Sequence, residues 1–555
     1  MTHEKPLRVL MSSVCQPFGV KYGDGLGTSY EGTHQIMWAQ GIFRTRATTT
    51  QWGIDFIAHN LQAPTTTLHY PTMARFIAEI RKGYDYIGIA FVATTKHKMI
   101  PMVEAIRRYA PQTKVVLGGY GTALSDDEIG IEVDHICRGE GVAFMRDLLG
   151  EPVDRPIDQP YIKQQTKLFT MNLGGPVGYV FAGLGCPHGC DFCATSHYFK
   201  RRHIRFLPDG RSILHAIERL RASDPDMVDF WISDEDFLLN QKRGRGFLEA
   251  IRESDQPPLA ISAFSSVKAL SQYHPSELVE MGIDWVWVGY EGQRAGYAKM
   301  NGRPYDELFA DLRAHGISVL ASMIIGFDYQ TPEIIEQEFE DLIALRPTMS
   351  QFLIYGPAHG TPLYERMEAE GRLNADAFAD ASKLDGFSLT FAHPHISKEE
   401  MEALQKELYH KEFQRLGPSI FRCADTYLEG SIRLADHPAP RVRAKAKAYA
   451  DIARRARMVI PAAKRYVSPE VGVWLDELSA RMTKHTRPFS LKERSLAALA
   501  PVMLWYTGFK MRRGIDQQPT FSTRSWRMGE PAVAPLAVSP VLPGQEPLVL
   551  AGQEE

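Results

Sequence analysis

The stretch Cys186-Pro-His-Gly-Cys190-Asp-Phe-Cys193 decides the fold of this 555-residue chain. It follows an apolar run over residues 177–184 that is typical of a buried β-strand, and it places three thiols within eight residues. Clustered cysteines in so long a chain more often hold a metal than form a disulfide scaffold. We therefore expect this loop to leave a strand and to hold a metal centre.

The number of cysteines in the loop indicates the kind of metal centre. Structural zinc sites are closed by four protein ligands, and iron–sulfur clusters that only transfer electrons normally take four cysteines. The remaining cysteines are far from the loop in sequence: Cys15, Cys137 and Cys423. Three bystander cysteines are one alternative, and a zinc site completed by His188 or His197 is another. The spacing favours an iron–sulfur cluster with one iron open to a further ligand.

The cysteine loop opens a series of six apolar runs that alternate with helical patterns. The runs are VGYVFAGL (177–184), DMVDFWIS (226–233), LAISAFSS (259–266), DWVWVGYE (284–291), SVLASMIIGF (318–327) and SQFLIYG (350–356). This alternation predicts a parallel sheet arranged as a partial (βα)6 barrel of the TIM type over residues 176–390. Functional groups of such barrels project from the carboxyl ends of the strands. Those ends carry the cysteine loop, Ser233-Asp234-Glu235, Ser265, Glu291 and Gly326, which we expect to ring one cavity.

Residues 1–150 also alternate apolar runs with helical patterns, which predicts a Rossmann-like parallel sheet with helices on both faces. Ligands of such sheets bind at the carboxyl ends of the strands. Two of the runs are followed by glycines that let a backbone approach a bulky group: Gly118, Gly119 and Gly121, then Gly139 and Gly141. A cofactor site and ordinary turns are both compatible with these glycines. Residues 151–175 are expected to form a linker.

After about residue 390 the apolar residues recur at helical spacing, which predicts a helical C-terminal module over residues 391–528. Residues 437–528 hold 19 Lys and Arg against 6 Asp and Glu, a net charge of +13 beside −16 elsewhere. Such a basic surface is usually a solvated face, and contact with nucleic acid or anionic lipid is the functional alternative. Residues 529–555 are rich in proline and small residues, which predicts a disordered tail.

One apolar segment of the basic module, SLAALAPVMLWYTGF (495–509), has basic residues on both sides. It is too short to span a bilayer, so a buried core helix and a helix at a membrane surface are the two alternatives. In the second alternative Leu504, Trp505 and Tyr506 make the membrane contact. The chain shows no run of roughly 18 to 20 apolar residues and no signal-peptide pattern at its start. We therefore expect a cytoplasmic protein, with contact at the membrane surface as an addition.

Spaced as CxxxCxxC, with an aromatic residue before the last cysteine, the loop resembles that of the radical S-adenosylmethionine superfamily. The resemblance implies a 4Fe–4S cluster held by Cys186, Cys190 and Cys193, whose open iron binds S-adenosylmethionine. In that superfamily an electron from the cluster breaks the sulfonium bond, and the resulting 5'-deoxyadenosyl radical abstracts hydrogen from unactivated carbon. The resemblance also implies an external electron donor such as a flavodoxin or a ferredoxin.

The resemblance gives the strand ends roles in binding S-adenosylmethionine. Ser233, Asp234 and Glu235 match acceptors for its ammonium group, although helix capping by Ser233 or Asp234 is the structural alternative. The other residues assigned to this site are Ser265, Glu291 near the ribose hydroxyls, and Ile325, Gly326 and Tyr355 on strands that flank adenine. Apolar strand residues are also ordinary core, so the adenine assignments keep that alternative. The sequence marks no catalytic side chain.

The sheet that precedes the barrel carries GGYG (118–121) and RGEG (138–141) after two of its strands and resembles the cobalamin-binding domain of one branch of this superfamily. Together the two resemblances cover about residues 1–390. Cobalamin is thus implied as a further cofactor beside the five glycines. The sequence contains no DxHxxG, so no histidine is marked as a lower ligand of cobalt.

Methylation of an unreactive carbon is the commonest reaction of this branch. The resemblance therefore implies a C-methyltransferase that acts on a small or hydrophobic substrate, such as a lipid. Radical cyclisation, oxidation or rearrangement on the same scaffold, without methyl transfer, is the alternative reaction. A lipid-binding or nucleic-acid-binding protein with a structural cluster is the non-enzymatic alternative, which only the basic module supports, and we expect no nucleic-acid partner.

Overall fold

A computed structural model describes residues 7–15, 36–47, 50–169, 171–513 and 521–527. Within these residues the chain forms two mainly parallel sheets, each flanked by helices, and then a succession of helices. The predicted α/β class is confirmed. The predicted tail, residues 529–555, lies outside the described residues.

Strands and helices alternate through most of the chain. The strands are β1 (Val9–Ser13), β2 (Arg46–Ala47), β3 (Thr65–His69), β4 (Tyr86–Ala90), β5 (Lys114–Gly118), β6 (His135–Ile136), β7 (Lys163–Gln164), β8 (Thr166–Leu168), β9 (Met171–Asn172), β10 (Val177–Phe181), β11 (Gly183–Leu184), β12 (Ile204–Arg205), β13 (Asp229–Ser233), β14 (Ala260–Ser265), β15 (Ile283–Glu291), β16 (Ser318–Ile325), β17 (Met349–Ile354) and β18 (Ser522–Trp526). The α-helices are Trp52–His59, Met73–Ile80, Lys96–Tyr109, Asp126–Ile129, Gly141–Leu148, Ala194–Tyr198, Gly210–Ser223, Gln241–Glu253, Val267–Leu270, Pro275–Met281, Tyr305–Ala314, Pro332–Ala344, Pro362–Ala369, Ala375–Ala379, Lys398–Leu416, Ser419–Arg433, Pro440–Arg457, Ile460–Ala463, Pro469–His485 and Leu491–Arg512.

The first sheet has the strand order β18-β3-β1-β4-β5-β6. Strands β3, β1, β4, β5 and β6 are parallel to their neighbours, and β18 is antiparallel at the edge. Without β18, this is the 2-1-3-4-5 order of flavodoxin-like sheets, in which ligands bind outside the carboxyl ends of the strands, where the strand order reverses. The sheet thus offers a ligand site beyond the ends of β1 and β4.

The second sheet has the order β17-β16-β15-β14-β13-β10-β7. Six parallel strands lie beside their predecessors in chain order, which is the topology of an open (βα)6 unit, and β7 is antiparallel at one edge. Alternate residues of β15, such as Val286 and Val288, are fully buried because successive side chains point to opposite faces of a strand. All six carboxyl ends therefore meet at one edge of this sheet.

Strand β18 departs from the helical prediction for residues 391–528. It pairs with β3 through Ser522 to Trp526, and the Trp526 indole donates to Thr67 Oγ1 at 3.1 Å. Arg524 donates to the buried carboxylate of Asp55 at 3.0 Å. The segment STRSW shows no pattern that indicates its partner, because the pairing joins residues more than 450 positions apart. The predicted linker likewise contains three short strands: β7 pairs with β10, and β8 pairs with β9.

The helix Leu491–Arg512 buries one face of the segment 495–509 in the core and exposes the other face. Leu504 is fully buried and packs with the helical core, whereas Trp505 is 59% and Tyr506 is 45% exposed. The expectation that Leu504 belongs to an outward contact is wrong, because adjacent helical residues point about 100° apart. Every helix in the described ranges is too short or too polar to cross a membrane.

Candidate functional site

The cysteine loop lies at the carboxyl edge of the second sheet, between β11 and the helix Ala194–Tyr198. Ser196 fixes its shape, since the Ser196 hydroxyl donates to Cys186 O at 2.8 Å and accepts from Gly189 N at 3.0 Å. Burial raises the pKa of Cys186 to about 12 and that of Cys190 to about 11. Thiols in this setting stay protonated until a metal displaces the proton, as metal ligands require.

The two histidines near the loop are engaged elsewhere. His188 Nε2 lies 2.8 Å from Asp236 Oδ2, and His197 Nε2 lies 3.1 Å from the carbonyl oxygen of Cys190. Within the described residues, no three His, Cys, Asp or Glu side chains are close enough to hold a single metal ion. Each histidine keeps only Nδ1 for a metal. Because no such set of three side chains comes together in the described part of the chain, the arrangement favours a cluster held by the three cysteines over a single zinc ion.

Two aspartates tie the loop to the neighbouring strand ends. Asp236 accepts from the Ser265 hydroxyl at 3.1 Å and from the Ser266 hydroxyl at 2.6 Å, in addition to its contact with His188. Asp236 therefore joins the loop to the end of β14, and it is buried. Ser265 therefore supports the cysteine loop indirectly, through its hydrogen bond to Asp236.

Asp191, between the second and third cysteines, makes the matching contacts on the other side. It accepts a hydrogen bond of 2.7 Å from each of two tyrosines, Tyr297 and Tyr355. Burial, together with the Asp191 carboxylate, raises the pKa of both phenols above their usual value. The tyrosines thus remain donors, and the loop is held from β13 on one side and β17 on the other.

The three predicted ammonium acceptors separate into different environments. Asp234 is buried and accepts from Arg243 at 2.6 Å, with His203 Nε2 at 3.1 Å. Burial alone would raise the pKa of Asp234, but the His203 hydrogen bond and the Arg243 charge hold it below its usual value. This carboxylate is already neutralised. The helix-capping alternative is wrong, since the next helix begins at Gln241 and is capped by Asn240.

Ser233 and Glu235 instead line an open cavity. Burial, reinforced by the nearby Asp234 charge and opposed by His203, raises the pKa of Glu235 to about 7. A carboxyl group in this range changes its charge near neutral pH. Glu235 is therefore the member of the predicted triplet whose carboxylate is open to a ligand and poorly compensated by protein partners.

Glu291 ends β15 in a left-handed backbone conformation, with φ of +60°. Its carboxylate forms an ion pair with Lys299, whose ammonium group also lies 5.6 Å from the centre of the Phe192 ring in the cysteine loop. Burial opposes the Lys299 charge, but the Glu291 carboxylate beside it raises its pKa above the usual value. A Cβ at Gly289 would lie 2.4 Å from Glu291 Oε1 and 2.7 Å from Lys299 Nζ, so a larger residue there would shift the pair. A half-buried cation thus lies beside the cysteines.

The predicted adenine residues occupy the ends of β16 and β17. Ile325 is fully buried, which agrees with the alternative that it is an ordinary core residue. Gly326 has φ of +94° and donates from its amide to Gln330 at 2.6 Å. Tyr355 points to Asp191 of the cysteine loop, as described above. All three lie at the same edge as the cysteines, and their contact with adenine stays a prediction.

A cavity of about 370 Å³ separates the two sheets at their carboxyl edges. Four of the five predicted glycines line it: Gly118, Gly119, Gly139 and Gly141. At Gly118 and Gly139 a Cβ would meet no atom within 4 Å, so these two positions leave empty space in the wall. Gly121 does not line the cavity, because it packs against Phe91, whose ring would lie 2.4 Å from a Cβ there. The glycine edge of the first sheet therefore faces the cysteine edge of the second.

Tyr198 joins the two edges. It belongs to the helix that follows the cysteines, and its hydroxyl lies 2.6 Å from Thr122 Oγ1 in the 3-10 turn that follows β5 of the first sheet. The same hydroxyl donates to Cys137 O and accepts from Gly139 N, both at 3.1 Å. Tyr120, on the cavity wall, packs edge-to-face against Tyr198 with ring centres 5.3 Å apart. The helix after the cysteines thus reaches the cavity wall through Tyr198, and Ser233 and Glu235 also line the cavity. The other strand-end groups that we expected around it do not line it: Cys186, Cys190, Cys193, Ser265, Glu291 and Gly326.

A three-cysteine loop after the first strand of a (βα)6 sheet faces a flavodoxin-like sheet across a glycine-lined cavity, which is the arrangement that the resemblance to the radical S-adenosylmethionine superfamily implies. No family model matches the chain. It is 26% identical over 376 residues to an uncharacterized methyltransferase of Pyrococcus horikoshii, covering 60% of this chain and 80% of that protein. It is 22% identical over 359 residues to the bacteriochlorophyllide d C-12(1)-methyltransferase of Chlorobaculum tepidum, covering 59% and 76%.

The fold is also found in a solved structure. The radical S-adenosylmethionine methyltransferase TsrM of Kitasatospora setae, solved with cobalamin and a 4Fe–4S cluster, superposes with a TM-score of 0.53 at 14% identity, over 82% of this chain and 99% of that chain. The predicted resemblance to the radical S-adenosylmethionine superfamily, in its cobalamin-associated branch, is confirmed, and the chain is an enzyme of this fold.

Sequence reasoning did not find several residues that shape the site. Asp236, Asp191, Lys299 and Tyr198 act through partners that are 8 to 164 positions away. Asp191 lies within the cysteine motif and Tyr198 lies five residues after it. This nearness to the motif was the sequence signal that could have marked both residues as part of the site. Asp236 follows the Ser-Asp-Glu triplet directly, but its orientation away from the cavity depends on Ser265 and His188. Lys299 had no sequence indication.

Proposed function

We propose that the protein is a cobalamin-dependent radical S-adenosylmethionine C-methyltransferase that acts on an unactivated carbon of a small, hydrophobic substrate. The observation that carries the proposal is the position of the cavity, which has cysteine-loop strands on one wall and the glycines of a flavodoxin-like sheet on the other. Two cofactors held by these two walls would meet at the cavity. The likeness to two methyltransferases in sequence and to TsrM in fold supports the methyl-transfer reaction.

The residues present fit both cofactors. Cys186, Cys190 and Cys193 are free thiols on one short loop, which suits a cluster with an open iron. The vacant Cβ positions at Gly118 and Gly139 suit a bulky group held by shape. When bound, the cluster would supply the electron that cleaves S-adenosylmethionine, and cobalamin would carry the methyl group that the product receives.

Side chains of this chain would bind and orient the cofactors and the substrate. Glu235 lines the cavity and, once ionised, accepts a hydrogen bond from an ammonium group such as that of S-adenosylmethionine. Glu291 offers a carboxylate oxygen near the cysteines, held in place by Lys299. The wall is mainly apolar and includes Trp52, which suits a bulky and largely apolar ligand.

The test is anaerobic reconstitution with iron, sulfide and cobalamin, followed by product analysis with candidate substrates and an external donor such as flavodoxin or ferredoxin. We expect 5'-deoxyadenosine and S-adenosylhomocysteine together, with a product heavier by one CH2 per turnover. A product that has lost hydrogen without a CH2 gain would replace methylation with cyclisation or oxidation. Neither nucleoside product, in a preparation whose cluster is intact, would contradict the proposal.

The substrate is met at a membrane surface. The outward face of the helix Leu491–Arg512 exposes Leu499, Val502 and Trp505 to 59%, 62% and 59%. Basic residues flank this face at both ends: Lys492, Arg494, Lys510, Arg512 and Arg513. An apolar face with aromatic residues and cationic ends suits the headgroup region of an anionic bilayer. Two copies packed through the same face would bring like charges together, which disfavours a dimer here.

Flotation with anionic vesicles tests the membrane contact. Replacing Val502, Trp505 and Tyr506 by alanine should remove most of the binding, because it removes the apolar face and leaves the buried Leu504 in place. A matched control replaces three exposed apolar residues elsewhere, Ile432, Ile452 and Val473. The control should float like the wild type. Equal flotation of the two triple variants, or no flotation of the wild type, would contradict the contact.

A further inference from the structure

A second cavity, of about 300 Å³, lies at the amino ends of β16 and β17, opposite the cysteine edge of the same sheet. Arg313 and Arg346 precede these two strands, so the parallel topology places them at the far end of the sheet. The cavity is lined by Arg313, Arg346, Arg415, Leu416, Arg422, Asp425, Thr426 and Trp474. Four guanidinium groups thus converge on one space, against a single lining carboxylate.

Arg422 carries the clearest indication of a ligand. It is 93% buried, and one arm of its guanidinium group is used: Nη1 donates to Pro347 O at 3.0 Å and pairs with Glu412 at 2.6 Å. Nε and Nη2 have no hydrogen-bond partner among the described residues. These two nitrogens form the edge with which arginine makes parallel hydrogen bonds to an oxyanion. A buried edge of this kind is costly unless a partner fills it.

The cations around the cavity crowd one another. Burial, and then the Arg346 charge, lower the pKa of Arg313, and Arg313 Nε also has no hydrogen-bond partner among the described residues. Arg346 adopts φ of +52°, a left-handed conformation that few non-glycine residues accept. The neighbouring carboxylates are Glu340, Glu412, Asp425 and Glu429, and a fifth arginine, Arg481, pairs with Asp425. Five cations therefore stand against four anions, and an anionic ligand would complete the balance.

We infer that this cavity binds a small molecule through a phosphate group. A tetrahedral phosphate offers several acceptor oxygens in different directions, which suits guanidinium groups that approach from three helices and from the connection before β17. A carboxylate offers only two oxygens in one plane, so phosphate is the better match to several guanidinium groups. Because the site lies at the opposite end of the sheet from the cysteines, it is independent of the proposed methyl transfer.

Calorimetric titration of the full chain tests the inference, with inorganic phosphate, pyrophosphate and AMP as probes in a phosphate-free buffer. We expect saturable binding by the wild type and at least about tenfold weaker binding by Arg422→Met, which keeps the apolar stem and removes the fork. Stronger binding of AMP than of inorganic phosphate would identify an organic phosphate as the ligand; equal binding would identify free phosphate. The matched charge control is Arg211→Met. Arg211 is 75% exposed and pairs with Glu253, so this variant should bind the phosphate probes like the wild type.

Arg422→Lys separates a lost ligand from a lost fold. It keeps the charge and most of the stem, so the variant should show the wild-type circular dichroism and cluster absorbance but bind phosphate at least about tenfold more weakly. Equal affinity in the Lys and Met variants and the wild type overturns the inference. So does the absence of saturable binding in the wild type, or an effect that potassium chloride of equal ionic strength reproduces.

Discussion

The two parallel sheets meet at edges of the same kind but opposite chemistry. The carboxyl edge of the second sheet presents reactive side chains: three thiols, the carboxylate of Glu235 and the Glu291–Lys299 pair. The corresponding edge of the first sheet presents glycines, and at Gly118 and Gly139 a Cβ would project into open space. One edge is suited to hold a cofactor through specific atoms, and the other to hold one through the volume it leaves free.

This difference predicts which kind of substitution disrupts cofactor binding at each edge. A site made by ligand atoms fails when one atom is removed, even if the volume is unchanged. A site made by empty volume fails when atoms are added, even if the chemistry is unchanged. Deletions should therefore act on the cysteine edge and insertions on the glycine edge, and each should spare the other cofactor.

The largest effect is expected for Cys190→Ala. Loss of one of the three cysteine ligands should abolish the visible absorbance of the cluster. It should also reduce 5'-deoxyadenosine formation by more than about 100-fold, because losing a ligand costs more than losing a hydrogen-bond partner of a ligand, which costs about 10- to 100-fold. Absorbance spectra and product quantification under anaerobic conditions provide the measurement. The control is Cys423→Ala, a thiol 3.4 Å from Ser318 in another part of the chain, which should keep both. An intact cluster in Cys190→Ala would show that Cys190 is not a cluster ligand, and the contrast between the two edges would fail.

The reverse experiment is Gly118→Leu. The added side chain would occupy the cavity, where over-packing costs about 1 to 3 kcal/mol, so cobalamin should bind about 10- to 100-fold more weakly. Equilibrium binding of cobalamin, followed by its absorbance, measures this. Gly118→Ala adds one methyl group and should show a smaller loss, while cluster absorbance stays unchanged in both variants. Wild-type cobalamin affinity in the leucine variant would show that the cavity is not the cobalamin site.

Glu235 should make stability depend on pH. Its pKa is raised from 4.5 to about 7 in the folded protein, so the folded state holds a proton that the unfolded state has released. The stabilisation is complete below about pH 4.5 and is lost as the pH rises to about 7, with an upper limit of about 3 kcal/mol.

Glu235→Gln should remove this dependence. In urea unfolding of cofactor-free protein, the wild type should lose roughly 1 to 3 kcal/mol more than the variant between about pH 5 and pH 8. Parallel pH profiles for the two proteins would show that Glu235 titrates normally and is not the poorly compensated carboxylate at the junction of the two edges.

The smallest effect is expected for Tyr198→Phe, which cuts the hydrogen bonds between the edges. The change leaves Gly139 N without its tyrosine partner and should lower the free energy of unfolding by about 1 to 2 kcal/mol. Urea denaturation measures it, with Tyr506→Phe on the exposed helix face as a control expected within about 0.5 kcal/mol of the wild type. An equal effect of the two substitutions would mean that Tyr198 does not couple the sheets.

Much of the fold was predictable from local patterns. Each apolar run from residue 177 onward became a strand of the second sheet, because a buried parallel strand requires a short apolar stretch that is visible without knowing its neighbours. The cysteine spacing predicted the loop for the same reason, since its ligands lie within eight residues. Placement of Glu235 on the cavity and of Asp234 in a buried ion pair was not predictable, because it depends on Arg243 and His203.

The sequence by itself determined what is local: the order of strands and helices, the three-thiol loop and the glycines that follow β5 and β6. Only the tertiary structure decided which edges face each other, that β18 closes the first sheet, and that Leu504 turns inward while Trp505 turns outward. The physical reason is that a propensity or a ligand spacing acts over a few residues. Burial, ion pairing and the shape of a cavity arise instead from contacts between residues that the chain brings together from hundreds of positions apart.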